Sequence, residues 1–137
     1  MIKVLIVDDH AFIRAALVEM LAETDDISVV GTCADGSEVA ETAARTAPDV
    51  VLMDVQMPKM SGLEATRELR VAHPEVRVLV MSGDVARGSA EEALALGVAG
   101  FLLKEDHPGD LPQRIRTVAA GGSAWSEAAA ARLHLNN

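Results

Sequence analysis

The sequence predicts an α/β domain: a five-stranded parallel sheet in the order 2-1-3-4-5 with helices on both faces. Three observations predict it. Five short apolar runs recur along the 137 residues, and each is followed by a segment with helical spacing. Most of these runs are continuous rather than alternating, as strands covered on both faces are. Half of the residues are hydrophobic, but two Phe, one Trp and no Tyr leave Val, Leu, Ile, Ala and Met to fill the core.

The first run is KVLIV (3–7), and the helix after it is marked by Ile13, Leu17, Met20 and Leu21, spaced i, i+4, i+7, i+8. The second run, ISVVGTC (27–33), leads to an Ala- and Glu-rich helical stretch from Ser37 to Thr46, with Gly36-Ser37 as its start. The third, VVLM (50–53), precedes Ser61-Gly62-Leu63-Glu64, a capping box opening a helix that Pro74 bounds. The fourth, VRVLVM (76–81), is followed by a weaker stripe of Ala90, Ala93, Leu94 and Gly97. The fifth, GFLL (100–103), is followed by Leu111, Ile115, Val118 and Ala119, which repeat the first pattern. Alternation of this kind implies a parallel sheet with right-handed crossovers, and a flavodoxin-like order suits five strands. Gly121-Gly122 stops the last helix. The remaining SAWSEAAAARLHLNN is Ala-rich enough for one short helix and too short for a domain, so residues 122–137 read as a tail or connector.

Length fits a single domain. The formal net charge of −9 argues against direct contact with nucleic acid by these residues. No run approaches the roughly 20 apolar residues of a membrane span. The N-terminus is not a signal peptide, and the single cysteine, Cys33, excludes an internal disulfide and fits a reducing cytoplasm as a buried, inert thiol.

In open parallel sheets, sites form beyond the carboxyl ends of the strands. There the first run ends in Asp8-Asp9-His10, the third in Asp54, the fourth in Ser82-Gly83-Asp84 and the fifth in Lys104. The second ends in Cys33-Ala34-Asp35, with no matching donor or acid, as suits a border strand. Three crowded carboxylates repel one another and call for a cation, and hard oxygen ligands suit magnesium. With Lys104 as a point charge and Ser82 as a neutral hydroxyl, the group met from every side is a phosphoryl, and Asp54 is its natural nucleophile. Any one of these residues taken alone reads more readily as a cap or turn residue; all five converging at strand ends do not. Asp84 reads equally as a helix cap or a site residue. His10 reads as a solvated loop position, His73, His107 and His134 as surface residues. Met53, Met57, Met60 and Trp125 read as packing residues.

The stretches VLIVDDH, VVLMDVQMPKMSGLEAT, VLVMSG and GVAGFLLK together resemble, in order and spacing, the receiver domain of bacterial two-component response regulators, the CheY-like superfamily. The resemblance covers about residues 1–121, and the DDH and GFLLKE stretches are most similar to the NarL/FixJ group. It implies that Asp54 is the phosphoacceptor and that Asp9, Asp54 and the backbone carbonyl of Gln56 ligate Mg2+, with Asp8 acting through a metal-bound water. It implies that Ser82 and Lys104 bond phosphoryl oxygens and that Phe101 occupies the switch-aromatic position. It further implies a sensor histidine kinase as donor, homodimerisation on activation and a DNA-binding helix-turn-helix output following residues 122–137. Glu105 stands after Lys104 where many receivers have a proline, as in the NarL/FixJ group. The chain is then a switch rather than a turnover enzyme.

Three other readings compete. A phosphorylation-independent pseudo-receiver would use the fold only as a binding surface, against the full acid set. A haloacid-dehalogenase-like phosphatase would place its nucleophile in a DxD motif after the first strand, where this chain has DDH. A flavodoxin-like nucleotide binder would want a phosphate loop there, where this chain has two acids.

Overall fold

The computed structural model describes residues 1–83 and 89–135. In chain order the elements are β1 (Ile2–Val7), α1 (Ala11–Ala22), β2 (Ile27–Cys33), α2 (Val39–Thr46), β3 (Val50–Asp54), α3 (Gly62–Ala72), β4 (Arg77–Ser82), α4 (Ser89–Ala95), β5 (Gly100–Leu103), α5 (Leu111–Ala119), β6 (Ala124–Trp125) and α6 (Glu127–Arg132). Short 3-10 turns at Gly36–Glu38 and Pro108–Asp110 lead into α2 and α5. The five apolar runs are the first five strands, all parallel.

Alternation along each strand divides the core into two layers. Leu5, Val7, Val51, Met53, Val78, Val80, Phe101 and Leu103 face α2, α3 and α4, where Val39, Ala43, Leu63, Leu69, Ala90 and Ala93 cover them. Val4, Ile6, Val50, Leu52, Leu79 and Leu102 face the other way, against Leu21 of α1 and Leu111, Ile115 and Val118 of α5. Because helices cover both faces, neither set of strand side chains can be polar, and the runs read as continuous. The capping signal before α3 is realised: Ser61 Oγ accepts from the Glu64 N–H at 3.2 Å. The segment expected as a helix from Ser37 starts instead as a 3-10 turn, with the regular helix beginning at Val39.

The expectation of five strands in the order 2-1-3-4-5 needs correction: the sheet has six strands in the order β2-β1-β3-β4-β5-β6. After α5, Gly121 at φ 99° turns the chain back, a conformation costly for a residue with a Cβ. Ala124 and Trp125 then pair in parallel with Gly100 and Phe101. The short helix expected in the tail is α6. Its cap is Ser126, whose Oγ accepts from the Ala129 N–H at 3.3 Å. Ala129 and Ala130 are buried in the same layer as Phe101 and Trp125. Trp125 is thus a packing residue, as expected, and two strand residues are too few to show a period in sequence.

Candidate functional site

Parallel β1, β3, β4 and β5 bring their carboxyl ends to one edge of the sheet, and the polar residues that follow them converge there. Asp9, His10, Asp54, Gln56, Met57, Pro58, Ser82, Gly83 and Lys104 line an open cleft of about 460 Å³. Asp8 lies just beneath, 3% exposed.

Asp8 is held from several directions. Its Oδ1 accepts from the His10 backbone N–H at 2.8 Å and lies 3.0 Å from His10 Nδ1. Its carbonyl accepts from Arg14 Nη1 at 2.7 Å, tying the end of β1 to α1. Asp54 closes β3 and is buried at 4% exposure. Lys104 Nζ stands 3.1 Å from Asp54 Oδ1 and 3.4 Å from Asp8 Oδ2. The lysine is aimed by its backbone: its N–H donates to the Ser82 carbonyl at 2.8 Å, across β4 and β5. Just beyond, Asp106 Oδ2 accepts from the Leu103 N–H at 3.1 Å and pins the turn after β5. Ser82 is buried at the end of β4.

The electrostatics follow from the crowding. Burial pushes the Asp54 carboxyl above its ordinary pKa. The Lys104 hydrogen bond opposes this, and the Asp8 and Asp9 charges add to it. For Lys104, burial disfavours the charge, but the hydrogen bond to Asp54 and the charges of Asp54 and Asp8 outweigh it and hold the ammonium above its usual pKa. One lysine therefore does not neutralise the cluster. Asp8, Asp9, His10 and Asp54 each offer a ligand atom within 4.8 Å of the others. Among the described residues, Asp54 Oδ2 is buried without a hydrogen-bond partner, and the buried Asp9 Oδ1 makes no hydrogen bond, with the His10 ring nitrogen near it at 3.1 Å. Unsatisfied buried carboxylate oxygens are costly, and a hard cation with oxygen preference fits them.

The structure brings Asp8, Asp9, Asp54, Gln56, Ser82 and Lys104 to this edge, as expected. Phe101 is different: it is wholly buried one layer down, beside Trp125, in the inward position. Asp84 lies outside the described residues. The Lys104-Glu105 peptide is trans. His10, expected in a solvated loop, is 58% exposed yet meets both acids, with Nδ1 3.1 Å from Asp9 Oδ1. His73 and His107 do not reach the cleft; His107 Nδ1 accepts from the Gly109 N–H in the turn before α5. Cys33 is buried, and burial raises its thiol pKa, in keeping with an inert side chain.

Sequence reasoning passed over Asp35. Its Oδ2 accepts from the Ser37 N–H at 2.9 Å, and its Oδ1 accepts from the Lys59 N–H at 3.0 Å. The signal was present: Asp-Gly-Ser is an Asx-turn sequence. What it could not reveal is the partner 24 residues away.

Comparison with known proteins places these observations. The family model described as the response regulator receiver domain matches residues 4–116. The chain is 39% identical over 137 residues to the response regulator GacA of Pseudomonas syringae pv. syringae, covering all of this chain and 64% of that protein. It therefore spans somewhat less than two thirds of that relative. Among solved structures, a LuxR-family two-component response regulator from Aurantimonas sp. SI85-9A1 superimposes with a TM-score of 0.90 at 30% identity, covering 96% of this chain and 94% of that one. The signal receiver domain of a response regulator named NarL from Mycobacterium tuberculosis gives 0.82 at 32% identity, covering 88% and 97%.

Proposed function

The chain belongs to the response regulator receiver family of two-component systems, related to LuxR- and NarL-type regulators, and we propose that it is a switch set by phosphorylation of Asp54. The observation that carries this reading is the pair Asp54–Lys104. Among the described residues, this buried carboxylate keeps one oxygen, Oδ2, without a hydrogen-bond partner while a lysine 3.1 Å away holds the other.

A sensor histidine kinase is the proposed donor. Asp54 Oδ2 forms the new P–O bond as the P–N bond to the donor's phosphohistidine breaks, and the electron pair leaves with the imidazole nitrogen. Asp9, Asp54 and the Gln56 carbonyl would hold Mg2+, with Asp8 behind a water. The bound ion supplies charge neutralisation on the phosphoryl oxygens. Lys104 needs little movement to bond one phosphoryl oxygen, and Ser82 bonds another. A cavity of about 220 Å³, lined by Ile13, Leu17, Leu102 and Leu111 among others, opens beside Lys104. With Phe12 exposed at the start of α1, it supports docking of the kinase's helices there.

Once formed, the acyl phosphate draws Ser82 and Lys104 together and shifts the balance between two packings around Phe101. That change favours a homodimer and, in a cytoplasmic protein that continues into a helix-turn-helix domain, DNA binding by that domain. Among the described residues no helix is long and apolar enough to cross a membrane. The phosphoryl mimic beryllofluoride tests this reading. Fluorine NMR should show one bound species that requires both Mg2+ and Asp54, accompanied in size-exclusion chromatography by a shift to the smaller elution volume of a dimer. A bound signal that persists in Asp54→Asn would sink the assignment.

A further inference from the structure

We propose that Asp35 is a positioning residue for the cleft, holding the loop between β3 and α3, and with it the Gln56 carbonyl, where the metal ion is met. The inference rests on the reading of the cleft as a magnesium site. Its structural basis is separate from that reading.

The loop from Val55 to Ser61 leaves the sheet at its most crowded point. Val55 is still tied at both ends: its N–H donates to the Met81 carbonyl at 3.1 Å, and its carbonyl accepts from the Gly62 N–H at 2.8 Å. From Gln56 to Met60 the chain has no strand neighbour, and Pro58 has no N–H to offer. Among the described residues, the hydrogen bonds that tie this stretch to another element all end on the Asp35 carboxylate. They are Lys59 N to Oδ1 at 3.0 Å and Met60 N to Oδ2 at 3.2 Å, with a longer Met60 N to Oδ1 approach at 3.5 Å.

Asp35 can do this because it is fixed in turn. It caps the turn leading into α2 through the Ser37 N–H, and it is 7% exposed. The next residue brings the loop closer still. A Cβ on Gly36 would lie 2.5 Å from the Met60 carbonyl oxygen and 3.0 Å from that of Ser61. The loop therefore rests on the backbone of the turn itself. Several N–H groups, led by that of Ser37, hold the Asp35 pKa down to about 2, so the carboxylate is ionised throughout the physiological range. Charge-assisted bonds of this kind are stronger than neutral ones. Asp35 thus links the border strand β2 to the loop that carries one of the proposed metal contacts, while standing outside the cleft.

The test is calorimetric titration of MgCl2 into the whole chain carrying Asp35→Asn or Asp35→Ala, with urea denaturation run on each. Ile115→Val, which loosens the opposite layer, serves as a comparator for general loss of stability. Asp35→Ala should weaken Mg2+ binding by about tenfold, in the range seen when supporting partners of ligands are removed. Asp35→Asn should weaken it less. At saturating Mg2+ the maximal rate of phosphoryl uptake from acetyl phosphate should recover, so that the Mg2+ requirement moves and the turnover of the step does not. If Asp35→Ala does not fold, Asp35→Asn decides. Folded variants that bind Mg2+ within twofold of the unaltered chain would overturn the proposal. So would an equal loss in Ile115→Val. An unaltered chain that binds no Mg2+ would instead overturn the magnesium reading itself.

Discussion

At the carboxyl ends of β1 and β3, Asp54 Oδ2 is buried with no hydrogen-bond partner among the described residues, and Asp9 Oδ1 is buried with no hydrogen bond, facing the His10 ring nitrogen at 3.1 Å. At the far side of the same sheet the chain behaves otherwise. The Ser126 N–H donates to the Phe101 carbonyl at 2.9 Å, Ser126 Oγ caps α6, and Trp125 lies flush beside Phe101. One edge leaves polar atoms unsatisfied and like charges crowded; the other closes its polar ends and fills its space. Native structures satisfy nearly all buried polar groups, so the exception marks where a ligand is to be met.

The comparison is broken most directly at the satisfied corner. Trp125→Ala should cost about 3 kcal/mol, as truncation of a buried aromatic does, read by urea denaturation. A loss below about 1 kcal/mol would make β6 an appendage rather than part of the core. The opposite sign is expected at the acid edge. Because the folded pKa of Asp54 is raised, its ionisation weakens the fold. That loss is absent below the unfolded carboxylate value of about 3.9, grows as pH rises above it, and is complete once pH has passed the raised folded value. Without Mg2+, Asp54→Asn should therefore melt higher than the unaltered chain at pH 7, with the difference vanishing at low pH. An equal or lower melting temperature at pH 7 would contradict the frustration assigned to this edge. Ser126→Ala should cost about 1 kcal/mol by removing a helix cap, measurable in the same urea assay. Arg132→Ala, which breaks the exposed pair with Glu91, should cost less than 1 kcal/mol and less again at high salt.

The same contrast explains what could be read from the chain. Continuous runs such as Val50–Met53 announce strands covered on both faces, and a parallel sheet then sends Asp8, Asp9, Asp54, Ser82 and Lys104 to one edge without further information. Residues whose role depends on a partner distant in sequence were not legible in this way. Asp35 looked like an ordinary border-strand turn, because its bonds to Lys59 and Met60 exist only once β2 and the β3–α3 loop are neighbours. Ala124-Trp125 carried no strand signal, because its pairing depends on β5 and on the Gly121 turn. His10 was read from its loop position, whereas its ring turns back onto Asp8.

The central claim is that Asp54 is the acceptor in a metal-dependent phosphoryl site. Intact-mass analysis after incubation with acetyl phosphate, with and without Mg2+, beside Asp54→Asn, tests it most directly. The account predicts a gain of a single phosphoryl group that requires Mg2+ and is absent from the Asp54→Asn chain. A gain of the same size in Asp54→Asn, or one indifferent to Mg2+, would contradict it.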